Sequence, residues 1–145
     1  MIIESNKIYH SVRSRYRNAQ IYLFDAQYTL TDRKLIEKAY SQYIWQMRLL
    51  GLTLWLSDKL DCDKWAWLFK GYVTLRNALS KRKHAIPVGI ICYMVNGDKK
   101  KPHCINVFAH ETKDGHKIME LEPQPKNGVK ELTQKEKDSV WLAVF

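Results

Sequence analysis

Three features of the sequence predict an α+β fold. Two stretches of helical periodicity lie between residues 31 and 79, β-branched runs follow after residue 85, and turn signals separate those runs. Helices come first and an antiparallel meander follows. Residues 7–20 are polar with scattered aromatics and read as an irregular or helical segment, so residues 1–20 are expected at the periphery. Ile21-Tyr22-Leu23-Phe24 is a short extended stretch ending at Asp25. Thr31 is the expected N-cap of the first helix, with Asp32 in its first turn. Leu35, Ala39, Tyr43 and Met47, flanked by Ile36, Tyr40 and Ile44, repeat at helical spacing until Gly51 stops the helix. Asp61 caps a second helix from Cys62 to Leu79, whose wide apolar stripe (Trp65, Ala66, Leu68, Phe69, Tyr72, Val73, Leu75) predicts a central, well buried element. Ile86–Val95 then reads as a strand, Asn96-Gly97 as a turn, and His103–His110 and His116–Glu122 as two further strands joined around Asp114-Gly115. Thr133-x-x-Glu136 is a capping box for one or two helical turns, and Val140–Phe145 is a final apolar strand.

The 145 residues fit a single domain, 1–145. With 46% hydrophobic residues, five Trp, eight Tyr and four Phe, the chain can bury a core, which excludes disorder over most of its length. No apolar run approaches the ~20 residues that span a bilayer, so no membrane partner is expected. The opening Met1-Ile2-Ile3-Glu4 does not read as a signal peptide, and a cytoplasmic location is the expectation. Cys62, Cys92 and Cys104 form no C-x-x-C pair, match no structural zinc spacing and are too few for a disulfide framework. The net charge is +9, and residues 1–95 carry nearly all of it, with 15 basic against 7 acidic side chains. That excess sits in Arg13, Arg15 and Arg17 and in Lys81, Arg82 and Lys83, the candidate anion-binding residues.

One constellation carries chemistry. Asp61-Cys62-Asp63 opens a helix, His103-Cys104-Ile105-Asn106 opens a strand, and Glu122-Pro123-Gln124 ends the next strand. A helix N-terminus lowers a thiol pKa, a neighbouring imidazole can take and return the proton, and a third polar group fixes the imidazole. If Glu111 pairs with His116, Glu122 and Gln124 both fall on the His103 face, whereas Asn106 has the opposite parity and points away. Asp61 and Asp63 oppose the thiolate by their charge. With Glu122 they are also candidate ligands for a hard cation such as calcium or manganese.

These motifs, in this order, resemble the papain-like C-terminal domain of the Marasmius oreades agglutinin family and related short proteins of bacteriophages and bacteria. The resemblance covers roughly residues 25–124 and is strongest over 103–124. It implies a papain-like fold with Cys62 as nucleophile, His103 as general base and acid, Glu122 as orienting carboxylate, and dependence on calcium or a similar cation. The family's sugar-binding domain has no counterpart here, so lectin activity is not carried over. The small residue that often follows the His is here Cys104, and residues 55–60 hold no Gln, which leaves backbone N–H groups or Ser57 to stabilise an oxyanion.

The expected function is a papain-like cysteine hydrolase of bacteriophage or bacterial origin, acting on an amide or thioester of a peptide or acyl substrate through an acyl-enzyme. The alternative is a non-catalytic phage-type binding protein whose basic surface holds a nucleotide, nucleic acid or acidic host protein.

Overall fold

The computed structural model describes residues 1–53 and 61–145. The elements run β1 (Ile2–Glu4), α1 (Ser5–Arg15), β2 (Gln20–Tyr22), β3 (Gln27–Thr29), α2 (Arg33–Leu49), α3 (Cys62–Ala78), β4 (Val88–Met94), β5 (Pro102–Thr112), β6 (Gly115–Glu122), β7 (Gly128–Lys130), α4 (Gln134–Asp138) and β8 (Leu142–Val144). A six-stranded sheet has the order β2-β8-β4-β5-β6-β7, and β1 pairs with β3 in a separate ribbon. The fold is α+β, as the sequence predicts. The sheet is mixed, however: β2 runs parallel to β8 while the other neighbours are antiparallel.

Alternation along the central strands sorts side chains between two helical layers. Ile91, Tyr93, Ile105, Val107, Ala109 and Ile118 form one cluster with Ile8, Val12 and Tyr16 from α1 and its C-terminal end. Val88, Phe108 and Leu121 point the other way, into Ile36, Tyr43, Trp65, Phe69 and Val73 of α2 and α3. The α1 contribution comes from within residues 1–20, where Ile8, Val12 and Tyr16 are all fully buried.

Local chemistry sets the boundaries. Asp32, one residue beyond the expected Thr31, caps α2 by accepting from the Lys34 N–H at 2.9 Å, and Thr31 is buried instead in a bridge to His110. Gly51 ends that segment at φ 74°, the left-handed conformation glycine tolerates best. Asn96 and Gly97 both take positive φ in the β4–β5 connection. Thr133 and Glu136 form the reciprocal capping box of α4. The expected burial of α3 needs correction, because Trp67, Leu68 and Leu75 are exposed and one face alone meets the sheet. Trp45 is likewise exposed at 60%, so these two tryptophans are not core residues.

The cysteines also differ from expectation. Cys92 stands directly opposite Cys104 in the β4–β5 ladder, and the two form a disulfide, leaving Cys62 as the free thiol. Sequence spacing does not reveal such a pair, because the link depends on the register of two long strands.

Candidate functional site

The site forms where the start of α3 meets the start of β5 and the end of β6. Asp61 occupies the N-cap position in extended backbone, and its carbonyl accepts the Trp65 N–H at 3.1 Å, placing Cys62 in the first turn. Asn106 fixes that turn to the sheet. Its side-chain amide, fully buried, donates to the Ala66 carbonyl at 2.9 Å and the Gly89 carbonyl at 3.1 Å. The expected parity is observed, since Asn106 faces α3 with Phe108 while Ile105 and Val107 face α1.

The β5–β6 register pairs Glu111 with His116 and Asn106 with Leu121, then ends at Glu122. Beyond the last pair, Glu122 reaches across to His103, with Oε2 and Nε2 2.6 Å apart. Its other oxygen accepts the Gln124 N–H at 3.3 Å, so Gln124 positions the carboxylate through its backbone. The Gln124 carbonyl in turn accepts from Tyr40 Oη at 2.8 Å. Tyr93, paired opposite His103, presents its ring edge-on to the imidazole at 5.7 Å, and Lys130 donates to the Tyr93 hydroxyl. Tyr93 and Lys130 were not legible as site residues, because they come together only through the register of β4 and the fold of β7.

Electrostatics favour the charged pair. A hydrogen bond with His103 lowers the Cys62 thiol pKa; burial opposes this, and the Cys104 backbone N–H assists it. Asp63 acts against the thiolate, as its charge predicts, but does not prevail. Burial alone would depress His103, but hydrogen bonds with Cys62 and Glu122 outweigh it and raise the imidazole to about 9. At neutral pH His103 is therefore an imidazolium, and the thiol beside it ionises more readily than an ordinary cysteine. Glu122 takes Nε2, which leaves Nδ1 for the thiol.

The other expected residues fall elsewhere. Ser57 lies outside the described residues. Asp61 and Asp63 share a hydrogen bond that holds Asp61 at about 2 and raises Asp63, and Lys64 pairs with Asp61 at 2.9 Å. Glu122 is taken by His103, and among the described residues no group of three His, Cys, Asp or Glu is gathered for calcium or manganese. Arg15 turns inward: its guanidinium bridges both oxygens of the fully buried Glu120 at 2.8 and 2.9 Å, and Tyr16 donates to the same carboxylate. Arg13 donates to the Arg17 carbonyl and to Tyr9, while Arg17 is exposed. Lys81, Arg82 and Lys83 are exposed in the α3–β4 turn, and Arg82 borders a groove between α2 and α3, apart from the α1 arginines.

No family model matches the sequence, and no curated protein matches it. Among solved structures, PSL1a in a complex with E64 superposes with a TM-score of 0.77 at 21% identity over 99% of this chain. The Polyporus squamosus lectin, bound to the human-type influenza-binding epitope Neu5Aca2-6Galb1-4GlcNAc, does so with a TM-score of 0.73 at 20% identity, again over 99% of this chain. The chain spans about half the length of each, 51% and 49%. These neighbours overturn the expectation of a cysteine hydrolase from a bacteriophage or bacterium and favour its binding alternative. What this chain shares with each of them is the fold of about half of that chain.

Proposed function

We propose that the chain is a ligand-binding domain whose contact point is the Cys62 thiolate. The carrying observation is the line from Glu122 to His103 to Cys62, with a 2.6 Å contact at one end and a thiol held below its ordinary range at the other. In this reading the thiolate gives its electron pair to an electrophilic carbon of the bound ligand and forms an S–C bond. The atom that receives the displaced electron pair takes the proton of His103. The ligand is then retained, and no turnover is part of the reading. The complex of PSL1a with E64 supports it and supplies the probe. The order Cys62, His103, Glu122 also supports the finer likeness, to the papain-like domain of the Marasmius oreades agglutinin.

Intact-mass measurement after incubation with E64 tests this. One adduct is expected on the native protein, none on Cys62→Ala, and slower formation on His103→Ala. Absence of an adduct on the native protein, or the same rate in His103→Ala, overturns the proposal. A second reading, glycan capture, is favoured by the trisaccharide in the lectin neighbour. Titration with that trisaccharide is expected to show binding that survives Cys62→Ala, and no heat at millimolar sugar rejects it.

A further inference from the structure

We infer that a second site, for a phosphate-bearing small ligand, lies in the groove between α1, the start of β6 and α4. The groove encloses about 620 Å³, within the range of small-molecule sites. One wall is the face of α1 and its C-terminal end that carries His10, Ser14 and Arg17; the other carries Lys117 and Lys137. Among the described residues the lining includes no Asp or Glu.

The charges in the groove are not equivalent. Glu120 neutralises Arg15 from below, and Glu131 pairs with Lys137 at 3.1 Å. Arg17 and Lys117 are exposed and make no ion pair among the described residues, so two cations on opposite walls remain for a ligand. His116 completes the floor, with Nε2 2.7 Å from the Ser11 hydroxyl. Burial first, and then the charge of Lys7, lowers the pKa of His116. A surface of donors and cations, with Arg17 unpaired and Lys117 only partly offset by the charge of Glu131, suits an oxyanion with at least two negative charges, and arginine and lysine are the side chains that bind phosphate through charge-assisted hydrogen bonds.

The groove is independent of the thiol. His116 and Glu122 stand at opposite ends of β6, six residue steps and roughly 20 Å apart along the strand. Failure of one site therefore leaves the other to be judged alone.

Calorimetric titration at low salt with inorganic phosphate, pyrophosphate and ADP tests the inference. Pyrophosphate and ADP are expected to bind more tightly than phosphate. Equal affinities for the two point to the phosphates alone, and tighter ADP binding to an added nucleoside contact. The Arg17→Ala/Lys117→Ala double variant, both residues being exposed, should weaken binding at least about tenfold while leaving Cys62 alkylation unchanged. No binding of any probe at millimolar concentration, or unchanged affinity in the double variant, overturns the site. Preference for a single-stranded oligonucleotide or for the sialylated trisaccharide over all three probes also overturns it, in favour of a different class of ligand.

Discussion

Replacing Glu122 with Gln keeps an oxygen available to His103 and removes a full negative charge 2.6 Å from its Nε2. His103 titrates at about 9 in place of 6.5, although burial works in the opposite direction. An elevation of that size is a preference of ~3 kcal/mol for the imidazolium. Cys62 and Glu122 provide it together, so loss of the Glu122 charge should lower the His103 pKa by about one pH unit or more. The thiolate depends on that imidazolium, and on the acid side of its ionisation its population should fall about tenfold. The assay is alkylation with iodoacetamide across the pH range, followed by intact mass. Because Cys92 and Cys104 are joined, Cys62 is the free thiol whose alkylation is read. The native protein should show an early rise as the thiol ionises and a second limb near pH 9 as His103 loses its proton. Glu122→Gln should move the first rise up and the second limb down. If the rate on the acid side of the first rise changes by less than about twofold and the second limb stays in place, Glu122 does not sustain the pair and the reasoning fails.

Three further outcomes are expected. Glu120→Ala leaves the buried Tyr16 hydroxyl without its acceptor and the half-buried Arg15 with only its 3.5 Å pair to Glu131, and should lower stability by about 2 kcal/mol, read as a shifted urea midpoint; a change below about 0.5 kcal/mol would show the network to be dispensable. Reducing Cys92–Cys104 opens a short loop, with a sequence separation of 12, and should cost about 3 kcal/mol on a chain-entropy basis, again by urea titration with and without reductant. The third outcome concerns pH. His103, raised when folded, stabilises fully below 6.5 and loses that contribution as pH rises through about 9, whereas Cys62, lowered when folded, contributes above 9.0 and loses its share as pH falls through its folded value. Over the part of the 6.5–9 range that lies above the folded Cys62 value, the folded state holds one extra proton and lacks another, so the two slopes oppose each other; Cys62→Ala should expose the falling His103 slope, and equal slopes in both proteins would refute the ion pair.

The sequence carried the local parts of this molecule well. Both long helices, the Thr133–Glu136 box and the pairing of Glu111 with His116 depend on spacing within a few residues or across one turn. The meeting of His103 with Glu122 followed from that pairing plus parity. What was hidden depends on contacts between distant segments. The parallel β2–β8 pair, the Cys92–Cys104 link and the burial of Glu120 under Arg15 each require a register or a layer that no local pattern specifies. Arg15 shows the limit clearly: as a string it belongs to a basic cluster, and in three dimensions its charge is spent on Glu120 and Glu131. The functional expectation ran ahead of the residues for a related reason, since a reactive thiol specifies what can be attacked and not whether the product is released.

The place of β8 bears on the order in which the protein can fold during synthesis. Gln20 pairs with Leu142 and Tyr22 with Val144, so β2, made early, has no sheet partner until residues 142–144 are made. The β4–β5–β6 hairpins close over short separations and can form first. Until β8 arrives, the Ile90–Cys92 edge of β4 stays open, and Ile8, Val12 and Tyr16 lack Ala143 and Phe145 as neighbours in their cluster. The nascent chain thus passes through a stage with a bare apolar edge and an undocked helix, the stage at which a holding chaperone would act and at which misassembly would begin.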